Sequence, residues 1–132
     1  MSHIVQLNLT IKDLVALEKA CQFLGTVELK RNQKHFRYYG GQSGKCDHAI
    51  SVRDNPQAYE LGLVANKDGG FDLNGDFYAG GQGLRDAVGD NAEKLKQEYA
   101  AQVCIKGYKK QGFTRVKRKI EENGTLTLIG ER

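Results

Sequence analysis

The stretch DNAEKLKQEYAAQVCIKGYKKQGFTRVKRKIEENGTLTLIGER, residues 90–132, decides the fold, because it reads as one long helix followed by a β-hairpin. Asp90 and Asn91 offer side-chain oxygens to the unpaired amides of a first turn, and Glu93 adds negative charge at the positive end of the helix dipole. Ala92, Leu95, Tyr99 and Val103 recur at helical spacing with Ala100 and Ile105 beside them, so this face is predicted to lie on a core. Lys94, Lys96, Gln97 and Glu98 are expected on the opposite side. Gly107 weakens the helix, Lys109 and Lys110 suit its terminal carbonyls, and Gly112 is the expected left-handed stop.

The register of the hairpin follows from matching its apolar faces. Val116 and Ile120 precede the turn, and Leu126 and Leu128 follow it. A two-residue loop, Asn123-Gly124, would set Ile120 against Thr127. A three-residue loop, Glu122-Asn123-Gly124 with Gly124 left-handed, sets Ile120 against Leu126 and brings the apolar faces together, so this loop is predicted. The outer face then carries Arg115, Lys117 and Lys119 in a row. Lys106, Lys109 and Lys110 stand just upstream, with no acidic residue between Lys106 and Ile120.

Toward the N-terminus, His3 to Ile11 alternates well enough for a strand. Asp13 caps a helix with Leu14, Leu17, Cys21 and Leu24 on one stripe, which Gly25 ends. Thr26 to Leu29 is a short strand, His35 to Tyr39 an aromatic one, and Gly40 to Lys45 a loop. Ala49 to Val52, Tyr59 to Val64 and Phe71 to Leu73 read as strands, the last continued by Phe77-Tyr78, and Gly80-Gly81-Gln82-Gly83 as a flexible bridge. The predicted class is α+β, one domain over residues 1–132. A mixed or antiparallel sheet carries two helices packed on one face, and the chain ends in a helix followed by the hairpin.

A chain of 132 residues is long enough for one core. Its formal charge of +4 persists despite 16 acidic residues, a modest excess that suits an acidic partner. Cys21, Cys46 and Cys104 include no Cys-x-x-Cys pair, which argues against a disulfide framework or zinc ribbon and fits a reducing compartment. The N-terminus lacks the apolar core of a signal peptide, and no run of about 18 apolar residues occurs, so a soluble intracellular protein with no membrane partner is expected.

Several local features occur together in order: Met1-Ser2-His3-Ile4, Arg37-Tyr38-Tyr39-Gly40-Gly41-Gln42-Ser43, Tyr59-Glu60-Leu61-Gly62-Leu63, Phe71-Asp72-Leu73, Glu98-Tyr99-Ala100 and Lys110-Gln111-Gly112-Phe113. Over nearly the whole chain this order resembles a domain-of-unknown-function family. It is found in cyanobacteria, in certain bacteriophages and in algal plastid genomes, where it is the thirty-fifth hypothetical chloroplast reading frame. The resemblance implies a cytoplasmic or stromal protein, or one of the host cytoplasm if phage-encoded, and it brings no activity or catalytic residue with it.

Gly40-Gly41-Gln42-Ser43-Gly44-Lys45 invites comparison with a phosphate-binding loop. That pattern, however, needs glycine where Tyr39 stands and a hydroxyl residue where Cys46 stands. A looser anion-binding loop, using backbone amides and Lys45, stays open beside a plain hairpin turn. Cys46 and His48, with His35 upstream, lack a fourth metal ligand and an orienting acid, so neither a metal site nor a catalytic set is expected. Asp72 to Asp76 opens like a calcium loop, but Phe77 occupies the required glycine position and Gly83 the final ligand position.

The basic residues Lys106, Lys109, Lys110, Arg115, Lys117 and Lys119 are the remaining candidates. They point to a small accessory protein, more a binder than an enzyme and without cofactor, which docks an acidic protein surface through its C-terminal hairpin. Two alternatives stand beside it. One is a nucleic-acid binder using the same face, with Tyr38, Tyr39 or Tyr108 stacking on bases; the other is a phosphate or nucleotide sensor built on Gly40 to Lys45. The bland reading is that lysines on an exposed strand merely discourage edge association.

Overall fold

The computed structural model describes residues 4–132; His3, where the first strand was expected to begin, lies outside them. Alternation of apolar residues builds a five-stranded antiparallel sheet in the order β1 (Ile4–Ile11), β7 (Phe71–Asp76), β6 (Leu61–Ala65), β5 (His48–Val52), β2 (Val27–Arg31). Leu7 pairs with Leu73 and Thr10 with Asp72, so a bulge in β1 shifts the register between them. Val27, Leu29, Ile50, Leu61, Leu63 and Leu73 all enter one buried cluster with Leu17 and Cys21 of the helix α1 (Leu14–Leu24). The opposite face carries Ala49, Gly62 and Val64 and is covered by a small hairpin, β3 (His35–Arg37) and β4 (Ser43–Lys45).

Phe36 of that hairpin lies against the sheet because glycines make room for it. A Cβ added to Gly62 would stand 2.3 Å from the ring, and one added to Gly44, its partner across the hairpin, 2.7 Å. The segment expected as an open loop from Gly40 to Lys45 is therefore half strand. The turn runs from Tyr39 to Gln42, with Gly40 and Gly41 at φ of +69° and +74°.

The first helix is built as the sequence predicted. The amide of Ala16 donates to the Asp13 carboxylate at 3.0 Å, and Gly25 ends the helix at φ +73°. The long helix α3 (Glu93–Lys110) lies alongside α1, with Leu95 and Tyr99 in the core. The Tyr99 hydroxyl accepts from the amides of Lys12 and Asp13 at 3.0 and 3.2 Å, which ties α3 to the start of α1.

The structure differs from the sequence reading at both ends of the bridge into α3. Asp90 and Asn91 do not cap the helix. They lie in a 3-10 turn, the N-cap residue is Ala92 in a left-handed conformation, and Asp90 pairs with Arg85 at 3.6 Å. Phe77 and Tyr78 do not prolong β7. Ala79, Gly80, Gly81 and Gln82 instead form a left-handed turn with φ of +51°, +78°, +63° and +57°, followed by a short helix α2 (Leu84–Val88). This turn is held in place: the Tyr59 amide donates to the Gly81 carbonyl at 2.9 Å and Asn55 Nδ2 to the Gln82 carbonyl at 3.1 Å. The glycines serve backbone handedness here, not mobility.

Three residues of α3 are also placed otherwise than expected: Val103 is 40% exposed and Ala100 is exposed as well, whereas Glu98 is only 4% exposed. The reason is the terminal hairpin, β8 (Arg115–Ile120) and β9 (Leu126–Glu131), which packs over Glu98. Its register is the predicted one. Ile120 faces Leu126, the Glu121 amide donates to the Thr125 carbonyl at 2.8 Å, and Gly124 has φ +86°. The architecture is α+β, an antiparallel sheet with helices on one face, closing in a helix and a β-hairpin. Among the described residues no helix is long and apolar enough to cross a membrane.

Candidate functional site

The hairpin divides its side chains between two faces. Val116, Arg118 and Ile120 pair with Gly130, Leu128 and Leu126, while Arg115, Lys117 and Lys119 pair with Glu131, Ile129 and Thr127. On the inner face Arg118 makes two hydrogen bonds to Glu98, Nη1 to Oε2 at 3.0 Å and Nη2 to Oε1 at 2.5 Å. Its guanidinium also stacks on Phe23 of α1, 4.1 Å from the ring centre. Gln102 donates to the same carboxylate at 2.8 Å, so a charge pair under the hairpin joins α1, α3 and β8.

The outer face is basic but partly compensated. Glu131 takes both Arg115 and Lys117 at 3.3 Å, and Lys119 stands 3.8 Å from Glu121. The uninterrupted cationic run in the sequence thus acquires acidic neighbours from the returning strand. Exposed pairs of this kind contribute at most about 1 kcal/mol each to stability, but they reduce the field of the face.

Lys106, Lys109 and Lys110 do not join that face. They line a groove of about 470 Å³ between α3 and α1, floored by Val15, Ala16 and Ile105 and bordered across from them by Lys19. The hairpin side of α3 is marked by Gln97, Ala101 and Cys104, and Lys106 and Lys109 lie roughly 140–200° round the helix from Cys104 at about 100° per residue. The six expected cations therefore fall in two sets, three outside the hairpin and three in the groove. Lys106 is paired with Asp13 at 2.7 Å, and this bond, together with the Ala16 amide, holds the Asp13 carboxyl below its ordinary value. Lys19, Lys109 and Lys110 have no ion pair among the described residues. Lys19 was not among the sequence candidates, since nothing in α1 alone marks it as the neighbour of a later helix.

The glycine loop does not gather its candidate ligands. The Tyr38 amide donates to the Gln42 carbonyl at 3.0 Å and the Gln42 amide to the Tyr39 carbonyl at 3.3 Å, which closes the turn on itself. Ser43, Gly44 and Lys45 run away along β4 opposite Arg37, Phe36 and His35, so Lys45 stands at the far end of the hairpin from Gly40 and Gly41. Beneath the turn lie two buried carboxylates that sequence reasoning missed. Asp76 accepts from the amides of Tyr39 and Tyr78 at 3.3 and 2.9 Å, and Glu60 accepts from the Arg37 amide at 2.9 Å and from Gln33. Burial, with Asp76 nearby, raises the pKa of the Tyr59 phenol.

The residues of metal-binding type are engaged elsewhere. Cys46 Sγ donates to the Gln33 carbonyl at 3.2 Å, and His48 Nδ1 accepts the Asn32 amide at 2.9 Å. Burial pushes Cys46 up to about 11 and Cys21 up to about 12, and it lowers the pKa of His48. Among the described residues no three His, Cys, Asp or Glu side chains are arranged to hold a metal ion.

Fold and surface together define a small α+β protein with a lysine-bordered groove between α1 and α3, on the side of α3 away from the terminal hairpin. The chain belongs to the family of proteins of unknown function DUF1257, which matches residues 22–129. It is similar over its whole length to the uncharacterized protein ycf35 of Pyropia yezoensis, 30% identical over 132 residues that cover 100% of this chain and 98% of that one. No solved structure matches it. The family resemblance read from the ordered motifs is thereby established.

Proposed function

We propose that the protein is a non-enzymatic accessory protein that docks an acidic protein surface through the basic residues of its C-terminal helix and hairpin. The observation that carries this is the groove, where Lys19, Lys109 and Lys110 surround an apolar floor without an acidic partner among the described residues. Like charges held together repel, and an anionic partner relieves that repulsion. Arg115, Lys117 and Lys119 form a second cationic band, weakened by Glu131 and Glu121. Three free cysteines support a reducing compartment, the cytoplasm or a plastid stroma.

The apolar floor favours a protein over a nucleic acid, because phosphates bring nothing to cover Val15 and Ile105. Two of the aromatic side chains that a single strand would stack on are occupied: Tyr108 packs edge-on against Phe113 at 5.3 Å, and Tyr38 lies against Phe36 at 5.8 Å. Fluorescence anisotropy with a labelled glutamate-rich peptide and a labelled oligo-dT strand tests the choice at about 0.15 M salt. The peptide is expected to bind, to be lost in the double variant Lys109→Glu/Lys110→Glu, and to be weakened in Lys117→Glu/Lys119→Glu. Tighter binding of the oligonucleotide, or peptide binding that survives both reversals, would sink the reading.

A further inference from the structure

We infer that the groove between α1 and α3 receives an acidic amphipathic helix of the partner protein. This rests on the docking reading above and gives the partner a shape. On α3 the lining residues Gln102, Ile105, Lys106 and Lys109 fall at helical spacing, and on α1 Val15 and Lys19 are one turn apart. The α3 stripe spans about two turns, roughly 10 Å at the rise of an α-helix. Two helices lying side by side leave a valley parallel to their axes, and a third helix fills such a valley by setting its side chains into it.

The chemistry of the valley selects the third helix. Val15 is 49% exposed although it stands in the first turn of α1, a place where a polar residue would cost the fold nothing. Ala16 and Ile105 continue the apolar floor, while Lys19 rises on one bank and Lys109 and Lys110 on the other, beside Lys106, which is already paired with Asp13. Anions are thus met from both sides of an apolar centre. A helix with one apolar stripe flanked on both sides by glutamate or aspartate matches this pattern. A second copy of this chain docking by the same face would set lysines against lysines, and an anionic bilayer would meet the banks without covering the floor.

The test uses the full chain and two synthetic peptides of identical composition. In one, leucines recur every third and fourth position between glutamates; in the other, the leucines are scattered round the helix. The amphipathic peptide is expected to bind at least tenfold more tightly by anisotropy and to shift the NMR methyl signals of Val15 and Ile105. Val15→Asn, at an exposed site, should weaken it about tenfold through loss of one buried side chain. Lys109→Gln/Lys110→Gln should weaken it further, and Lys34→Gln, beside the β3–β4 hairpin on the opposite face of the sheet, should leave it unchanged. Equal binding of both peptides overturns the helical partner but leaves acidic docking standing, and no binding of either overturns both. Equal or tighter lysine-dependent binding to phosphatidylglycerol vesicles, or self-association through the groove, also overturns the inference.

Discussion

Cutting either half of the Glu98–Arg118 pair should destabilise the protein, and the two cuts should differ. The Glu98 side chain is 5% exposed and that of Arg118 26%. In Arg118→Ala a carboxylate stays under the hairpin with Gln102 as its remaining donor, and breaking a buried pair in this way costs about 3 kcal/mol. Loss of the stack on Phe23 adds about 0.5–1 kcal/mol. In Glu98→Ala the partly exposed guanidinium can turn to water and keep its ring contact, so the cost discounted for that exposure is about 1–2 kcal/mol. The double variant should cost less than the sum of the single ones by about 1–2 kcal/mol. Urea unfolding gives each value from its midpoint and slope, and hydrogen exchange across residues 115–131 should rise most in Arg118→Ala. Equal costs for the two single variants, or strict additivity in the double, would refute a coupled pair buried beneath the hairpin.

Three further outcomes follow from features in the fold. Gly62→Ala should lower stability by about 1–3 kcal/mol by forcing Phe36 off the sheet, and Phe36→Leu should restore part of the loss; an unchanged melting temperature would remove the claim that the ring lies there. Acid should destabilise the protein in two steps. The folded pKa values of His48 and Asp13 are both lowered, so the unfolded chain takes up each proton first, and stability is lost as pH falls below 6.5 for His48 and below 3.8 for Asp13. Lys106→Gln should shrink the lower step in urea midpoints measured against pH. Exposed Cys104 should react with a thiol reagent in the native protein, while Cys21 and Cys46 should react only on unfolding, a count that mass spectrometry reads directly.

What could be read from the sequence was what neighbours along the chain decide. The loop Glu122-Asn123-Gly124 and the apolar faces around it fix one another, so the pairing of Ile120 with Leu126 was legible without coordinates. The caps Asp13 and Gly25 were legible for the same reason. The burial of Glu98 was not, because it depends on Arg118 arriving from the hairpin and Phe23 from α1. Nor was the division of the six cations, since a helix face and a strand face part company even where residues are consecutive. The glycines near position 80 were misread because a glycine-rich stretch encodes freedom and left-handedness alike, and only the anchors Asn55 and Tyr59 distinguish them. Gly44 read as part of a loop and Gly62 as a weak strand residue, because only the fold shows Phe36 occupying the space of their missing side chains.

The turn from Ala79 to Gln82 carries a consequence for chemical synthesis. An L-residue in that conformation costs about 1–2 kcal/mol, and Ala79 and Gln82 both bear it. A chain assembled with D-alanine at 79 and D-glutamine at 82 would enter α2 through enantiomers whose own preference matches the bend. It would therefore melt at a higher temperature than the ribosomal product, whereas the same exchange within α1 would break a helix.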